Sequence, residues 1–299
     1  MKIAYALPDR VLTNADLAKV YPEWTPEKIL TKTGIASRHI SADNETALDL
    51  ATRAAQKLDL TGVDFLLLCT QSSEYRLPST ACLLAERLGL PKTVGALAFD
   101  HGCSGFIYGF SLAKGLIAGG MAKKVLFVTA ETYTKYIPME DKSTRTIFGD
   151  GAAATIIDEN DVGKIGAFSF GTNGGGAEKL IVRDGKLFMD GPEIFNFTLD
   201  IVPKTMADVL SKNAMTADDI DLYVFHQANK FMLDTIRKVN GLPRDKYYVN
   251  LETTGNTVSS TIPIALKQLS DAGKLHAGMK VMLMGFGVGL SWGGTILKW

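Results

Sequence analysis

The chain has 299 residues, of which 46% are hydrophobic and 21% are charged, so it can bury a large core as one domain or as two fused halves. Lysine plus arginine and aspartate plus glutamate number 32 each, which excludes an overall field favouring nucleic acid or an anionic membrane as partner. The first apolar run is too short for a signal peptide, and no stretch reaches the roughly 20 apolar residues of a membrane span. We therefore expect a cytoplasmic protein.

Helical and strand patterns alternate along the chain, and no Pro/Gly/Ser-rich linker interrupts them. The patterns of the first half predict a helix over 45–58, a strand over 63–70, a helix over 79–89 and a strand over 123–131. Those of the second half predict a strand over 220–229 and a helix after it, a strand over 247–256, a helix over about 257–272 and a strand over 279–287. Strands this apolar are typical of an α/β protein whose sheets are covered on both faces.

The cysteines favour free thiols. Cys69, Cys82 and Cys103 are odd in number and have no C-x-x-C spacing, which argues against a disulfide framework and against a zinc site. Cys103 differs from the other two because it follows a short apolar run and precedes a helical pattern. A thiol at the start of a helix meets unpaired N–H groups and the positive end of the dipole. With a nearby imidazole, we expect these to lower the pKa of Cys103 from about 8.5.

The two halves of the chain resemble each other. The turn at Cys103 matches the turn at Asn256, 153 residues later, and the strand at Val125 matches the one at Val281, 156 residues later. A nearly constant offset indicates an internal duplication, although chance similarity between buried strands is the alternative. The duplication predicts two halves, 1–157 and 158–299. It also brings Cys103, His226 and Asn256 to one crevice at the carboxyl ends of strands.

Motifs along the whole chain resemble those of the beta-ketoacyl-acyl carrier protein synthase III family of the thiolase-like superfamily. The stretches that carry the resemblance are, in order, "LPDRVLTNADL", "ILTKTGIASRHI", "FDHGCSGFIYG", "FGDGAAATII", "VFHQANKFMLD", "TTGNTVSSTIPIAL" and "GFGVGLSWGG". The resemblance implies a five-layered αβαβα fold of two duplicated halves and a homodimer. It implies a condensing enzyme that works with acyl carrier protein, takes its acyl group from acyl-CoA or acyl carrier protein, and extends it with malonyl carrier protein. It implies no cofactor and no metal.

The resemblance also assigns roles to individual residues. Cys103 accepts the acyl group as a thiolate nucleophile. His226 and Asn256 hold the thioester carbonyl of the malonyl group and stabilise the enolate left when carbon dioxide departs. The backbone N–H groups of Cys103 and Val288 form the oxyanion hole at the acyl carbon. The remaining histidines, at 39, 101 and 276, are expected to be structural.

Five further positions are candidate substrate-binding residues where the chain departs from the family pattern. Lys28, Lys32 and Lys142 stand where relatives carry planar residues that hold the adenine of CoA. Lysine cannot stack on adenine but binds phosphate and acidic helices, so the change favours loading from acyl carrier protein. Lys230 and Arg237 are candidate charges for the docking of acyl carrier protein. The alternative is that they only form a solvated face of their helix. Leu77 replaces a phenylalanine that lines the acyl tunnel, which predicts a longer or branched primer.

Three other functions remain open from the sequence. An acyltransferase of the same fold would pass the acyl group from Cys103 to an alcohol or amine without releasing carbon dioxide. A hydrolase is weaker, because water attack gives His226 and Asn256 no enolate to stabilise. A non-catalytic partner subunit is the third alternative, but this chain retains the nucleophile.

Overall fold

The computed structural model describes all 299 residues. Its strands are β1 (Lys2–Ala6), β2 (Val11–Thr13), β3 (Ser37–His39), β4 (Phe65–Cys69), β5 (Gly95–Phe99), β6 (Lys124–Glu131), β7 (Gly151–Asp158), β8 (Ser169–Thr172), β9 (Leu180–Arg183), β10 (Lys186–Met189), β11 (Leu222–Phe225), β12 (Lys280–Gly287) and β13 (Ser291–Lys298). Its α-helices are α1 (Asn14–Val20), α2 (Pro26–Thr33), α3 (Ala47–Ala55), α4 (Thr80–Arg87), α5 (Gly105–Ala118), α6 (Lys142–Arg145), α7 (Glu159–Val162), α8 (Gly191–Lys212), α9 (Lys230–Val239) and α10 (Thr261–Asp271). None of these helices is both long enough and apolar enough to cross a membrane.

Two main sheets organise the molecule. The first has the strand order β1-β7-β6-β4-β5 and the second has the order β11-β12-β13-β8. In the first sheet β6 is parallel to β4 and antiparallel to β7, and β7 is antiparallel to β1. In the second sheet β12 is parallel to β11 and antiparallel to β13, and β13 is antiparallel to β8. The two sheets therefore repeat the same pairing pattern, as a duplication requires.

The register of the two sheets matches residue by residue. Phe65 of β4 lies opposite Val125 of β6, and Leu222 of β11 lies opposite Val281 of β12. Cys69 lies four residues after Phe65 and His226 lies four residues after Leu222, so Cys69 and His226 occupy equivalent positions in the two sheets. The boundary between the halves at residue 157 stays a prediction. The strands of the first sheet lie within residues 2–158, and those of the second lie within residues 169–298.

Helices cover both sheets and also lie between them. Helices α5 and α10 occupy the middle, where α5 contacts strands of both sheets and α10 contacts β1, β7 and β11. Helices α3 and α4 pack on the outer face of the first sheet, and α8 packs on the outer face of the second. The layers are therefore αβαβα. Three clusters of buried apolar side chains fill the four interfaces, one on the outer face of each sheet and one around the central helices between the sheets.

Local sequence explains where the outer helices begin. Helix α3 starts at a capping box, in which the Thr46 hydroxyl accepts from the N–H of Asp49 and the Asp49 carboxylate accepts from the N–H of Thr46. Its apolar positions then recur at helical spacing and are buried against the first sheet. This is the segment that the sequence predicts as a helix over 45–58.

Most predicted elements are present with shorter bounds, and one prediction is wrong. Residues 247–256 do not form a strand. Only Tyr247 bridges to Tyr223 of β11, after which the chain leaves the sheet and the carbonyl of Glu252 accepts from the N–H groups of Ala36 and Ser37. The predicted helix over 257–272 is split into a 3-10 turn at Val258–Ser260 followed by α10.

Candidate active site

Cys103, His226 and Asn256 line one cavity of ≈ 100 Å³. Cys103 lies in the turn between β5 and α5, His226 directly follows β11, and Asn256 precedes the 3-10 turn that leads into α10. All three residues are buried, with 2–5% of their surface exposed. The structure therefore brings together the three side chains that the sequence predicts to share a site.

Glycines allow the end of β12 to approach Cys103 closely. A Cβ added to Gly287 would lie 3.0 Å from Cys103 Cβ and 3.1 Å from its Sγ, and one added to Gly285 would lie 2.6 Å from the Cys103 carbonyl oxygen. Val288 follows Gly287, and its backbone N–H group acts on the Cys103 sulfur together with the N–H of Cys103 itself. Both amides predicted for the oxyanion hole are thus beside the thiol.

The expected lowering of the Cys103 pKa is wrong. Burial raises the pKa of Cys103 from 9.0 to about 12, and the nearby carboxyl of Glu131 acts in the same direction. The backbone N–H groups of Cys103 and Val288 lower this pKa, but burial prevails. No imidazolium can help, because the pKa of His226 is itself low. The resting group is therefore a thiol.

His226 is held as a neutral imidazole. Burial lowers the pKa of His226 from 6.5 to about 3, so the ring carries no charge at physiological pH. Its Nδ1 lies 2.7 Å from the Thr261 hydroxyl, which is also 3.1 Å from the carbonyl oxygen of Val258. When the hydroxyl donates to Nδ1, the ring proton is on Nε2, the nitrogen free to act as a donor to a substrate. Thr261 therefore influences the tautomer of His226.

Asn256 has a defined amide orientation. Its Oδ1 accepts from the Val258 N–H at 2.9 Å, which leaves the Nδ2 hydrogens for a ligand in the cavity. Its backbone is fixed between two residues of the first half, since the Asn256 N–H donates to the Ile147 carbonyl and the Gly149 N–H donates to the Asn256 carbonyl. The site is thus built across both halves.

Val258 connects the two donors. It has φ +56°, an uncommon backbone conformation for a β-branched residue, and it is fully buried. Its N–H donates to Oδ1 of Asn256. Its carbonyl and Nδ1 of His226 are the two acceptors within reach of the single proton of the Thr261 hydroxyl, at 3.1 and 2.7 Å, and the shorter distance is to Nδ1. The strained residue therefore orients both catalytic candidates. Its sequence context, "TGNTVSST", gives no signal of this geometry.

A buried acid lies behind the thiol. The Glu131 carboxyl accepts from the Gln71 N–H and from the hydroxyls of Ser72 and Ser259, at 2.9–3.2 Å. Burial nevertheless raises the pKa of Glu131 from 4.5 to about 8. The sequence analysis missed this residue, although an acid that ends the apolar strand "VLFVTAE" is a signal that could have found it.

A larger cavity of ≈ 450 Å³ leads to the catalytic one, and we call it the entrance cavity. The two share four lining residues, Ile147, Gly191, Asn229 and Met232. Lys32 and Trp24 line the entrance cavity, and the ammonium groups of Lys28 and Lys32 lie 5.4 and 5.1 Å from the centre of the Trp24 ring. Trp24 thus gives the entrance cavity a planar residue that the comparison at the three lysine positions did not consider, and preferential loading from acyl carrier protein stays a prediction.

The other candidate substrate-binding residues lie outside the catalytic cavity. Lys142 pairs with Glu23, and its neighbour Ser143 lines the entrance cavity. Lys230 pairs with Asp234 and lines, with Arg237 and Arg244, a separate surface cavity of ≈ 270 Å³ that we call the basic groove. Leu77 is 79% exposed in the isolated chain.

None of the remaining cysteines and histidines joins the site. Cys69 and Cys82 are free, the first buried and the second exposed. His39, His101 and His276 do not line the catalytic cavity. No group of three or more His, Cys, Asp or Glu side chains in the chain is placed to hold a metal ion.

Two matching sheets around paired central helices define a thiolase-like fold, and a thiol opposite two neutral donors places the chain among the acyl-transferring enzymes of that fold. Residues 99–174 match the family described as 3-oxoacyl-[acyl-carrier-protein] synthase III, and residues 210–299 match its C-terminal part. The chain belongs to the 3-oxoacyl-[acyl-carrier-protein] synthase III family, also called β-ketoacyl-[acyl-carrier-protein] synthase III.

Relatives resemble this chain over nearly its whole length. Beta-ketoacyl-[acyl-carrier-protein] synthase III 2 of Halalkalibacterium halodurans is 37% identical, over 98% of this chain and 94% of its own. A crystal structure of a 3-oxoacyl-(acyl-carrier-protein) synthase III is 45% identical with a TM-score of 0.97, over 100% of this chain and 98% of the other. The crystal structure of the Thermus thermophilus synthase III is 34% identical with a TM-score of 0.92, over 99% of this chain and 98% of the other.

Proposed function

We propose that the chain catalyses decarboxylative condensation of an acyl group with a malonyl thioester, giving a β-ketoacyl thioester in fatty acid or related lipid or polyketide biosynthesis. The observation that carries the proposal is the convergence of the Cys103 thiol with His226 and Asn256 in one buried cavity. A thiol alone would serve many acyl transfers. Two neutral donors beside it serve a reaction that develops a second oxyanion.

In the first step, Cys103 attacks the carbonyl of an acyl thioester. A new sulfur–carbon bond forms at Cys103, the bond to the carrier sulfur breaks, and the thiol proton ends on the released carrier thiol. The N–H groups of Cys103 and Val288 hold the oxyanion of the tetrahedral intermediate. Because burial raises the pKa of Cys103, its proton must be transferred as the new sulfur–carbon bond forms.

In the second step, a malonyl thioester loses carbon dioxide. The bond to its carboxylate breaks, and the electron pair becomes an enolate whose oxygen accepts from His226 and Asn256. Both are neutral donors, since the pKa of His226 is lowered to about 3 and Asn256 is a carboxamide. Neutral donors stabilise developing charge without giving up a proton, so the enolate keeps its nucleophilic carbon.

In the third step, the enolate carbon attacks the acyl-Cys103 thioester. The same two backbone N–H groups hold the second tetrahedral oxyanion. The sulfur–carbon bond then breaks, Cys103 takes up a proton, and the β-ketoacyl thioester leaves. Carbon dioxide and the product are released in equal amounts, which distinguishes condensation from simple acyl transfer.

We propose that acyl carrier protein delivers the malonyl group and docks at the basic groove. Lys230, Arg237 and Arg244 line that groove, although Asp234 and Glu252, which also line it, partly neutralise it. Lys28, Lys32 and Lys142 are proposed to contact the phosphate of the donor near the entrance cavity. Trp24 gives this cavity a ring able to stack on adenine, so acyl-CoA and acyl carrier protein are both retained as primer donors.

The acyl chain is proposed to extend past Val288. A cavity of ≈ 280 Å³ there is lined by Tyr133, Tyr136 and Leu187 among others. Leu77 does not line this cavity in its own chain and is exposed there, so we propose that it reaches the acyl path of the partner protomer, where a side chain smaller than phenylalanine leaves room for longer or branched primers. A Leu77→Phe variant should therefore shift preference toward two-carbon primers, and an unchanged preference would contradict this role.

We propose a homodimer formed through strand β5. This strand is the outer member of the first sheet, contains no charged residue, and has Leu97 47% exposed. An uncharged edge strand is a template for pairing with a second copy. Leu97→Lys should yield a monomer by sedimentation, whereas an unchanged dimer would contradict the assignment. The three free thiols support a reducing compartment, and we propose the cytoplasm.

The proposed function is tested by intact-protein mass spectrometry. The protein is mixed with acyl-CoA and acyl carrier protein donors, then with malonyl carrier protein while carbon dioxide is measured. We expect a mass gain that is absent in Cys103→Ala, present in the control Cys82→Ala, and discharged with stoichiometric carbon dioxide. His226→Ala should load normally and decarboxylate slowly. A mass gain that malonyl carrier protein cannot discharge would instead identify a transferase for another acceptor.

A further inference from the structure

A cavity of ≈ 250 Å³ lies on the far side of Phe148 from the catalytic cavity, and we call it the rear cavity. Phe148 lines both cavities, but Cys103, His226 and Asn256 do not line the rear one. None of the steps proposed above uses the rear cavity. It is also separate from the entrance cavity and from the basic groove, with which it shares no lining residue.

Three cationic side chains line the rear cavity without a carboxylate partner. Arg10 and Arg145 make no ion pair and no side-chain hydrogen bond within the chain, and the Nε of Arg145 is buried without a partner. The ammonium of Lys135 donates to the backbone carbonyls of Asp43 and Glu45 but pairs with no acid. Asp43 is the one acidic residue in the lining, so the cavity has a surplus of positive charge. Unpaired guanidinium groups beside a cavity are suited to bind an anion.

The rest of the lining is largely apolar. Leu12, Ile40, Ile137, Met139 and Phe148 provide this surface, and Ile40, Ile137 and Phe148 are buried. Ser41 also lines the cavity, and its backbone N–H donates to the carboxylate of Asp150. A small inorganic anion would leave the apolar wall uncovered. An anion with a short hydrocarbon chain would satisfy both parts of the lining.

We propose that the rear cavity is a second ligand site, which binds a short-chain carboxylate with its head group on Arg10 and Arg145 and its chain against Phe148. Arginine presents a planar pair of donors that matches a carboxylate. The segment from Arg145 to Gly149 also carries the backbone that pairs with Asn256. A ligand here therefore acts on one wall of the catalytic cavity, and the two sites are coupled reciprocally.

The test is equilibrium dialysis of labelled octanoate with protein whose Cys103 has been carbamidomethylated to fill the catalytic cavity. We expect one equivalent to bind, and affinity to fall at least tenfold in Arg145→Gln and in Arg10→Gln. Arg183→Gln is the matched control, because Arg183 is an exposed arginine paired with Glu178 and is far from this lining. Arg10 is exposed, so its variant remains informative if Arg145→Gln does not fold. Inorganic phosphate should compete weakly and hexanol not at all.

Three outcomes would overturn the proposal. Octanoate binding that disappears on carbamidomethylation but survives in both arginine variants would place the ligand in the catalytic site. Phosphate that competes as well as unlabelled octanoate would remove the role of the apolar wall. Absence of saturable binding to the carbamidomethylated protein would remove the site itself. None of these results depends on the condensing activity.

Discussion

Replacement of Thr261 by valine tests whether the partner of His226 sets its chemistry. Valine keeps the shape of the buried side chain and removes the hydroxyl that lies 2.7 Å from Nδ1. Without this hydroxyl, nothing donates to Nδ1, and the ring is free to hold its proton there and turn a lone pair toward the malonyl oxygen. We therefore expect decarboxylation to slow, because the donor at Nε2 is lost from part of the population.

The magnitude follows from one buried hydrogen bond. Leaving such a group unpaired costs about 1–3 kcal/mol. If this cost falls on the transition state for decarboxylation, the rate drops roughly 5- to 150-fold. Acyl loading of Cys103 should change by less than about threefold, because that step relies on the backbone N–H groups of Cys103 and Val288.

The assay separates the two steps. Carbon dioxide release from malonyl carrier protein measures decarboxylation, and single-turnover mass spectrometry measures acyl loading. Thr261→Ser is the matched control, since it retains the hydroxyl and should recover most of the rate. Equal slowing of loading and decarboxylation in Thr261→Val would refute the reasoning, and so would a serine variant as slow as the valine variant.

Three further predictions concern the surroundings of the thiol. Since burial raises the pKa of Cys103 to about 12, alkylation by iodoacetamide should keep accelerating up to at least about pH 10, and a plateau near neutrality would contradict this. Burial also raises the pKa of Glu131 from 4.5 to about 8, so the stability contributed by its protonated form is complete below pH 4.5 and is lost as pH rises through about 8. As pH rises from about 5 to about 9, the free energy of unfolding of Glu131→Gln, measured with urea, should therefore increase relative to that of the unsubstituted chain, by a few kcal/mol at most. A difference that does not change with pH would argue against a raised pKa. Gly287→Ala places a methyl 3.0 Å from Cys103 Cβ and should slow acyl loading in a folded chain, whereas the control Gly115→Ala, which has open space around its Cβ, should load normally.

The parts of the molecule that sequence could predict are those governed by local patterns. Apolar periodicity located the principal strands and helices, because burial on a sheet or helix face imposes a fixed spacing. The turn before α5 was predicted for the same reason, since an apolar run gives way there to a helical pattern at Cys103. The sequence repeat paired Val125 with Val281, and these two residues occupy corresponding positions in the two sheets.

The parts that sequence could not predict depend on contacts between distant segments. The "YYVNLETTGN" stretch has the composition of a strand, but Glu252 leaves the sheet to bond with residues near position 36. The pKa of Cys103 was predicted in the wrong direction, because the helix terminus is a local feature and burial is a tertiary one. Val258 and Thr261 act through hydrogen bonds that exist only once the 3-10 turn lies against His226.

The matching registers of the two sheets have a consequence for how this enzyme diverged after duplication. The strand registers place Cys69 of the first copy and His226 of the second at equivalent positions. The sequence repeat likewise matches the turn at Cys103 with the turn at Asn256. One copy thus supplies the thiol and the other supplies the two neutral donors, so neither copy contains the candidate site on its own. Because Asn256 of the second copy bonds to the backbone of Ile147 and Gly149 in the first, a change in either copy alters the cavity that both share.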